Sequence, residues 1–182
     1  MTVARFLAPL TPSGSVEAAW GRQRTRLLVT SYVTTEIPPV ALVTSVRAVV
    51  RRDDKVVALR NPDGVHVMPG GRLEPDESFE QALRREVHEE TGLTLVEPRY
   101  VGFLHFEHLT AKPDNYRYPY PDGFHAMYVA VARGVLRSGD IDGWEEEAFL
   151  VSAEEARRYT RHAYIAPFVD LCFSASASAP KE

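Results

Sequence analysis

The chain has 182 residues, 45% of them hydrophobic, with 25 acidic against 21 basic side chains and a net charge of −4. That is enough apolar material for one globular core, and the charge advertises no surface for long nucleic acid. A single cysteine, Cys172, excludes an internal disulfide, suits a reducing cytoplasm and is expected to pack in the core of the last helix.

Residues 1–40 read as an N-terminal extension, 41–173 as the main domain, and 174–182 (SASASAPKE) as a disordered tail. The apolar run Phe6–Leu10 is broken by Pro9 and is too short for a signal peptide. No run approaches the ~20 apolar residues of a membrane helix. Val16–Trp20 suggests the start of a short helix. Arg26–Thr34 is rich in β-branched residues and predicts a strand, closed by Pro38-Pro39. The extension is expected to cap the domain, with a homodimer contact as the alternative.

Leu42–Val50 and Lys55–Arg60 predict two strands joined by the polar turn Arg52-Asp53-Asp54. Asn61-Pro62-Asp63-Gly64 carries strong turn signals. His66–Met68 reads as a short strand, and Pro69-Gly70-Gly71 turns the chain toward a helix. Ser78 with Gln81 fits a capping box, and Gly92 suits the left-handed residue that ends a helix. Between them Phe79, Ala82, Leu83 and Val87 form one apolar stripe at helical spacing. Gln81, Arg84, Arg85 and His88 take the outward face. Glu86, Glu89 and Glu90 lie within the stripe and along its edge, so their carboxylates converge. Like charges at that spacing repel, and acids in a last turn oppose the helix dipole. A divalent cation would remove both penalties, and hard carboxylate oxygens suit Mg²⁺ or Mn²⁺. The alternative is a solvated acidic helix end.

From Gly71 to Leu93 the residues spell G-x5-E-x7-R-E-V-x-E-E-x-G-L. This segment resembles the signature box of the Nudix hydrolases at every defining position. Its seven glycine and charged positions alone, at ordinary residue frequencies, give a chance match on the order of 10⁻⁸ per start position, far rarer than a lone glycine-rich loop. The resemblance implies an α/β fold, a mixed sheet sandwiched between helices. It implies Mg²⁺ or Mn²⁺ bound by Glu86, Glu89 and Glu90 with the backbone carbonyl of Gly70. It further implies that Arg85 pairs with Glu77 and orients Glu86. Dimers are common in the family.

Arg99–Leu109 and His125–Gly134 predict two more strands. Between them Ala111–Phe124 is a long loop carrying Tyr116, Tyr118, Tyr120 and Phe124, and long loops in compact domains are often functional. Its aromatics, Tyr118 and Tyr120 above all, either stack on a planar part of the substrate or pack the loop onto the body. Trp144–Val151 places Glu145, Glu146 and Glu147 ahead of an apolar strand. The resemblance makes Glu147 the candidate for a further metal-ligand or base carboxylate, with Glu146 in reserve. Ser152–Glu155 is a second capping box opening a helix toward Tyr159, and more helix is expected near Phe168–Phe173.

His105, Glu107, His108 and His125 raise a zinc reading. His105 and Glu107 share one strand face while His108 points the other way, and no second tight pair completes four ligands. Arg60 is the leading candidate for phosphate binding, since it ends a strand beside the box; Arg47 and Arg72 follow. The reading is a cytoplasmic, metal-dependent hydrolase of the pyrophosphate bond in a nucleoside diphosphate linked to another moiety. Its partner is a small nucleotide-type molecule, neither membrane nor long nucleic acid. One alternative is a non-catalytic nucleotide-ligand sensor on the same fold; such proteins usually have a degraded box or a DNA-binding domain. Another is an isoprenoid diphosphate isomerase, which needs cysteine chemistry that Cys172, far down the chain, does not suit. The motifs that mark hydrolases of ADP-ribose, dinucleoside polyphosphates and coenzyme A are absent, so the substrate is not readable.

Overall fold

The computed structural model describes residues 2–20, 25–137, 146–160 and 164–174. Trp144, Glu145 and the expected tail 174–182 lie outside them, except Ser174, which closes the last helix and is not disordered. In chain order the elements are α1 (Val3–Leu7), β1 (Gly14–Trp20), β2 (Thr25–Val33), β3 (Val43–Arg52), β4 (Lys55–Asn61), β5 (Gly64–His66), α2 (Phe79–Thr91), β6 (Thr94–His108), β7 (Asp122–Arg133), β8 (Glu147–Ser152), α3 (Ala153–Tyr159) and α4 (Ala166–Ser174). A 3-10 turn, Val40–Leu42, leads into β3.

The strands form one sheet in the order β1-β2-β6-β7-β3-β4-β5, with β8 also beside β4. The β3–β7 pair is parallel and the other pairings are antiparallel, so the sheet is mixed. Period-2 alternation sorts its side chains onto two apolar faces. On one, Val46, Ala48 and Val50 of β3 meet Ala82, Leu83 and Val87 of α2 and Phe6 of α1. On the other, Val49, Val56 and Ala58 meet Ala156 of α3 and Phe168, Val169 and Cys172 of α4. The expected mixed sheet between helices is therefore present. No described helix is long and apolar enough to cross a membrane.

Val16–Trp20 is strand, not the start of a helix. Gly14, Val16 and Ala18 are half-buried while Ser15, Glu17 and Ala19 are exposed, and this alternation pairs with β2 in full register. The extension thus adds two strands to the sheet and buries Phe6 against Phe103 and Phe124. The short strand after Asn61 runs over Gly64–His66, two residues earlier than His66–Met68, because Asn61 pairs with Gly64 across a tight hairpin. β6 begins at Thr94 rather than Arg99; Glu97 and Pro98 sit in a register slip, where the missing proline N–H does no harm. Phe124 belongs to the core and not to the loop surface. Cys172 is buried in α4, and burial pushes its thiol up to about 11.

Candidate active site

The box helix forms as its sequence requires. Ser78 and Gln81 make a reciprocal capping box, and Gly92 ends the helix at φ 73°. Packing of Ala82, Leu83 and Val87 fixes the rotation of α2, and with it the direction of the acids. Arg85 does not point outward: it is half-buried among those acids. Its Nε and Nη2 donate to the two Glu77 carboxylate oxygens at 2.8 and 2.9 Å, a bidentate pair. Nη1 lies 3.0 Å from Glu86 Oε1 and donates to Glu89 Oε2 at 3.1 Å. Nη2 also donates to the Arg72 carbonyl at 3.0 Å. Glu77 takes a further bond from the Glu74 N–H. The guanidinium first, and then that N–H, hold the Glu77 carboxyl down to about 2.

The segment Pro69–Arg72 runs beside β3. Val46 and Ala48 donate to the carbonyls of Gly71 and Pro69, which leaves the intervening Gly70 carbonyl outside that pairing. The Gly70 N–H donates to Glu90 Oε2 at 2.7 Å. Neither glycine admits a Cβ with its neighbours as they stand. A Cβ on Gly70, at φ 132°, would stand 2.3 Å from the Val46 carbonyl oxygen; one on Gly71 would stand 2.2 Å from the Glu86 carboxyl carbon. Glu86 therefore rests in a cradle that a side chain would fill.

Glu77, Glu86, Glu89 and Glu90 surround the Arg85 guanidinium and the Gly70 amide, which leaves excess negative charge at the end of α2. Among the described residues no three acidic, histidine or cysteine side chains enclose a metal site as they stand. Glu86 and Glu89 are drawn to Arg85, and Glu90 to Gly70. The donor set nonetheless fits a hard divalent cation: carboxylate oxygens, an adjacent backbone turn and a charge excess that such an ion would neutralise.

Glu86 and Glu90 line a cleft of about 670 Å³ with Arg47, Arg72, Asn61, Met68, Leu104 and Tyr164. Arg47 is turned there by the alternation that buries Val46 and Ala48 on the opposite face, and it donates to the Met68 carbonyl at 3.3 Å. A second cleft, of about 630 Å³, lies under the loop after β6 and is lined by Tyr116, Arg117, Tyr118, His108 and the β2 residues Thr25 and Leu27. Arg47, Arg72, Phe106 and His125 line both, so the clefts are continuous.

Not every candidate joins this surface. Arg60 Nε donates to Glu147 Oε2 at 3.1 Å and its guanidinium lies over Phe149; neither Arg60 nor Glu147 lines the two clefts. Glu146 donates its N–H to the Arg60 carbonyl on the same ladder. The loop aromatics divide. Tyr116 bonds His108 through its hydroxyl, and Tyr120 donates to the Thr110 carbonyl, so both brace the loop on the body. Tyr118 lines the loop cleft, with the Arg72 guanidinium 5.1 Å from its ring centroid. His105 is engaged by Asp122, and His108 by Pro121 and Tyr116.

His125 and Phe106 are among the lining residues that the sequence does not reveal as such. They sit on β7 and β6, far from the box in sequence, with rings 4.3 Å apart. No local pattern marks them; only the strand pairing brings them to Arg47. Burial, and then the neighbouring Arg47 charge, lower the His125 imidazole to about 3, so it is neutral at physiological pH.

The NUDIX domain family model matches residues 41–172. An uncharacterised Nudix hydrolase of Bacillus subtilis, YvcI, is 41% identical over 59 residues, 32% of this chain and 37% of that protein. The NAD-capped RNA hydrolase NudC of Escherichia coli is 34% identical over 95 residues, 50% of this chain and 31% of that protein. The matched stretches span about a third of the length of these relatives. Among solved structures, the Bacillus subtilis pyrophosphohydrolase BsRppH superposes with a TM-score of 0.59 at 17% identity, covering 90% of this chain and 97% of that one. A NUDIX hydrolase from Nitrosomonas europaea superposes at 0.51 with 27% identity, covering 72% and 85%. With an intact box around a braced acidic helix end, and a family match across most of its length, the chain belongs to the Nudix hydrolase family.

Proposed function

We propose that the chain is a metal-dependent hydrolase that cleaves the pyrophosphate bond of a nucleoside diphosphate linked to a second moiety, giving a nucleotide and a phosphorylated product. The observation that carries this is the shared cleft wall: Glu86 and Glu90 stand in it with Arg47 and Arg72. Glu86, Glu89 and Glu90, with the Gly70 carbonyl, would hold Mg²⁺ or Mn²⁺. Such an ion, when bound, supplies charge neutralisation at the phosphates and a more acidic water.

The chain's own groups do the rest. Arg47 and Arg72 hold phosphate oxygens by charge-assisted hydrogen bonds. Arg85 is a positioning residue: it fixes the Glu86 carboxylate through a guanidinium itself locked by Glu77. Glu86, in the cleft wall, takes the proton of the attacking water at a carboxylate oxygen. Glu147, tied to Arg60 outside the cleft, is the weaker candidate for that step. The neutral His125 offers a hydrogen bond without adding charge.

The test is a turnover screen with Mg²⁺ or Mn²⁺ against nucleoside triphosphates, ADP-ribose, nucleotide sugars, dinucleoside polyphosphates, coenzyme A and, because of the NudC match, NAD. We expect one class to be hydrolysed by wild type. Glu86→Gln and Glu90→Gln should each lose about 1000-fold or more, some 4 kcal/mol of transition-state stabilisation. Glu147→Gln should stay within about threefold, the scale of an exposed ion pair. Near-normal activity in both box variants would refute the assignment. Metal binding without turnover of any class would favour the sensor.

A further inference from the structure

The cleft under the loop does not contain the acids, yet it opens directly onto them. Its walls are rings: Phe106, Tyr116, Tyr118, His108 and His125. Its volume, about 630 Å³, is within the roughly 300–1,000 Å³ of small-molecule sites. Resting on the hydrolase reading, we propose that this cleft seats the planar base of the nucleotide substrate, with Tyr118 as the stacking platform and Arg72 marking where the phosphates begin.

Three observations carry this. First, the loop separates bracing from presentation. Tyr116 and Tyr120 spend their hydroxyls on His108 and the Thr110 carbonyl, while the Tyr118 ring lies in a T-shaped contact with Tyr116, meets the guanidinium of Arg72 and lines the cleft, which Tyr120 does not. A ring face that already holds a delocalised planar cation can hold another flat π-system. Second, Arg72 is anchored by its backbone. Its carbonyl accepts from Arg85, the residue that braces Glu86, so its backbone is held beside the acids while its side chain reaches the loop. Third, charge sets the direction. Arg47 and Arg72 line the junction of the two clefts, whereas beyond it the loop cleft adds one acid, Asp114, and one base, Arg117, which offset each other. Phosphates are therefore drawn to the junction, and the uncharged base is left to the far side. The second moiety then extends into the cleft toward Asn61 and Tyr164.

The experiment is calorimetric titration of the full chain in EDTA with AMP, GMP, CMP and UMP, against ribose 5-phosphate, which has the same phosphate and no base. At least one nucleotide should bind about tenfold or more tightly than ribose 5-phosphate. Tyr118→Ala should shrink that preference to within about twofold, and Tyr118→Phe should keep it. If Tyr118→Ala lowers the thermal midpoint, Tyr118→Leu replaces it, and the same loss is required. Ribose 5-phosphate binding as well as all four nucleotides, including no measurable binding of any, overturns the proposal; so does a preference that survives loss of the ring. Glu90→Gln should retain the base preference. Glu90-dependent turnover without a base preference sinks the seat alone, and a base preference without turnover sinks the hydrolase reading alone.

Discussion

The acidic end of α2 and the loop after β6 face one continuous cleft, and they are held in opposite ways. At the helix end, a single guanidinium contacts three carboxylates and a carbonyl, all contributed by residues 72–89. Each partner is specified by helical spacing or by the turn just before it. The loop is held mainly through aromatic rings: His108 from β6 grips Tyr116 and the Pro121 carbonyl, and Tyr120 stacks obliquely on the same imidazole. Charge-assisted pairs tolerate little displacement, whereas rings accept many neighbours at similar energy. A short rigid motif is thereby suited to fixed chemistry, and an adaptable loop to selecting what the chemistry acts on.

The two glycines before the box test how rigid that side is. A methyl on Gly71 meets only the tip of the Glu86 side chain, which can swing away. Gly71→Ala should therefore cost about 100-fold or more in turnover, since an ångström of misplacement costs that much, while the thermal midpoint barely moves. Gly70→Ala meets backbone at a φ that favours glycine, so its loss should be in the fold, on the order of 2–3 kcal/mol or roughly 5–10 °C. Equal behaviour of the two variants would break the distinction.

The Glu77–Arg85 pair gives the box a pH signature. The folded Glu77 carboxyl is lowered from 4.5 to about 2, so its contribution is fully present above about 4.5 and is lost as pH falls toward 2. Urea midpoints taken across that window should fall less steeply in Glu77→Gln than in wild type. An identical slope would show that the pair does not survive in solution. The smallest effect is expected in the loop. Tyr120→Phe loses one half-exposed hydrogen bond, worth about 1 kcal/mol or less, and should leave base preference unchanged. A larger change would mean that Tyr120 presents as well as braces.

The box was legible because every constraint on it is local. Capping, the apolar stripe and the closing glycine follow from spacings within 23 residues, the Glu77–Arg85 pairing follows from the Nudix resemblance, and the structure shows each. The sandwich follows from the Nudix resemblance, while the alternation of strands and helices supports only the α/β class. Val16–Trp20 is ambiguous in sequence because its half-buried alternation has meaning only beside β2. Arg85 was placed on the outer face because a helical wheel ignores how far a long side chain can bend back toward Glu77. Arg60 looked well placed from its position at a strand end, but the β4–β8 register sets it opposite Glu147. His125 and Phe106 were invisible as cleft residues because their proximity to Arg47 exists only after three strands have paired.

The β1–β2 hairpin precedes the stretch that the family shares, yet Thr25 and Leu27 line the loop cleft, and the Arg26 carbonyl receives the Leu109 N–H at the root of the loop. Part of the loop cleft's wall therefore comes from outside the stretch that the family shares. A chimaera that transplants residues 41–172 alone would carry the box and its acids but leave behind one wall of the neighbouring chamber. Relatives alike in their box need not share a diet when their opening strands differ.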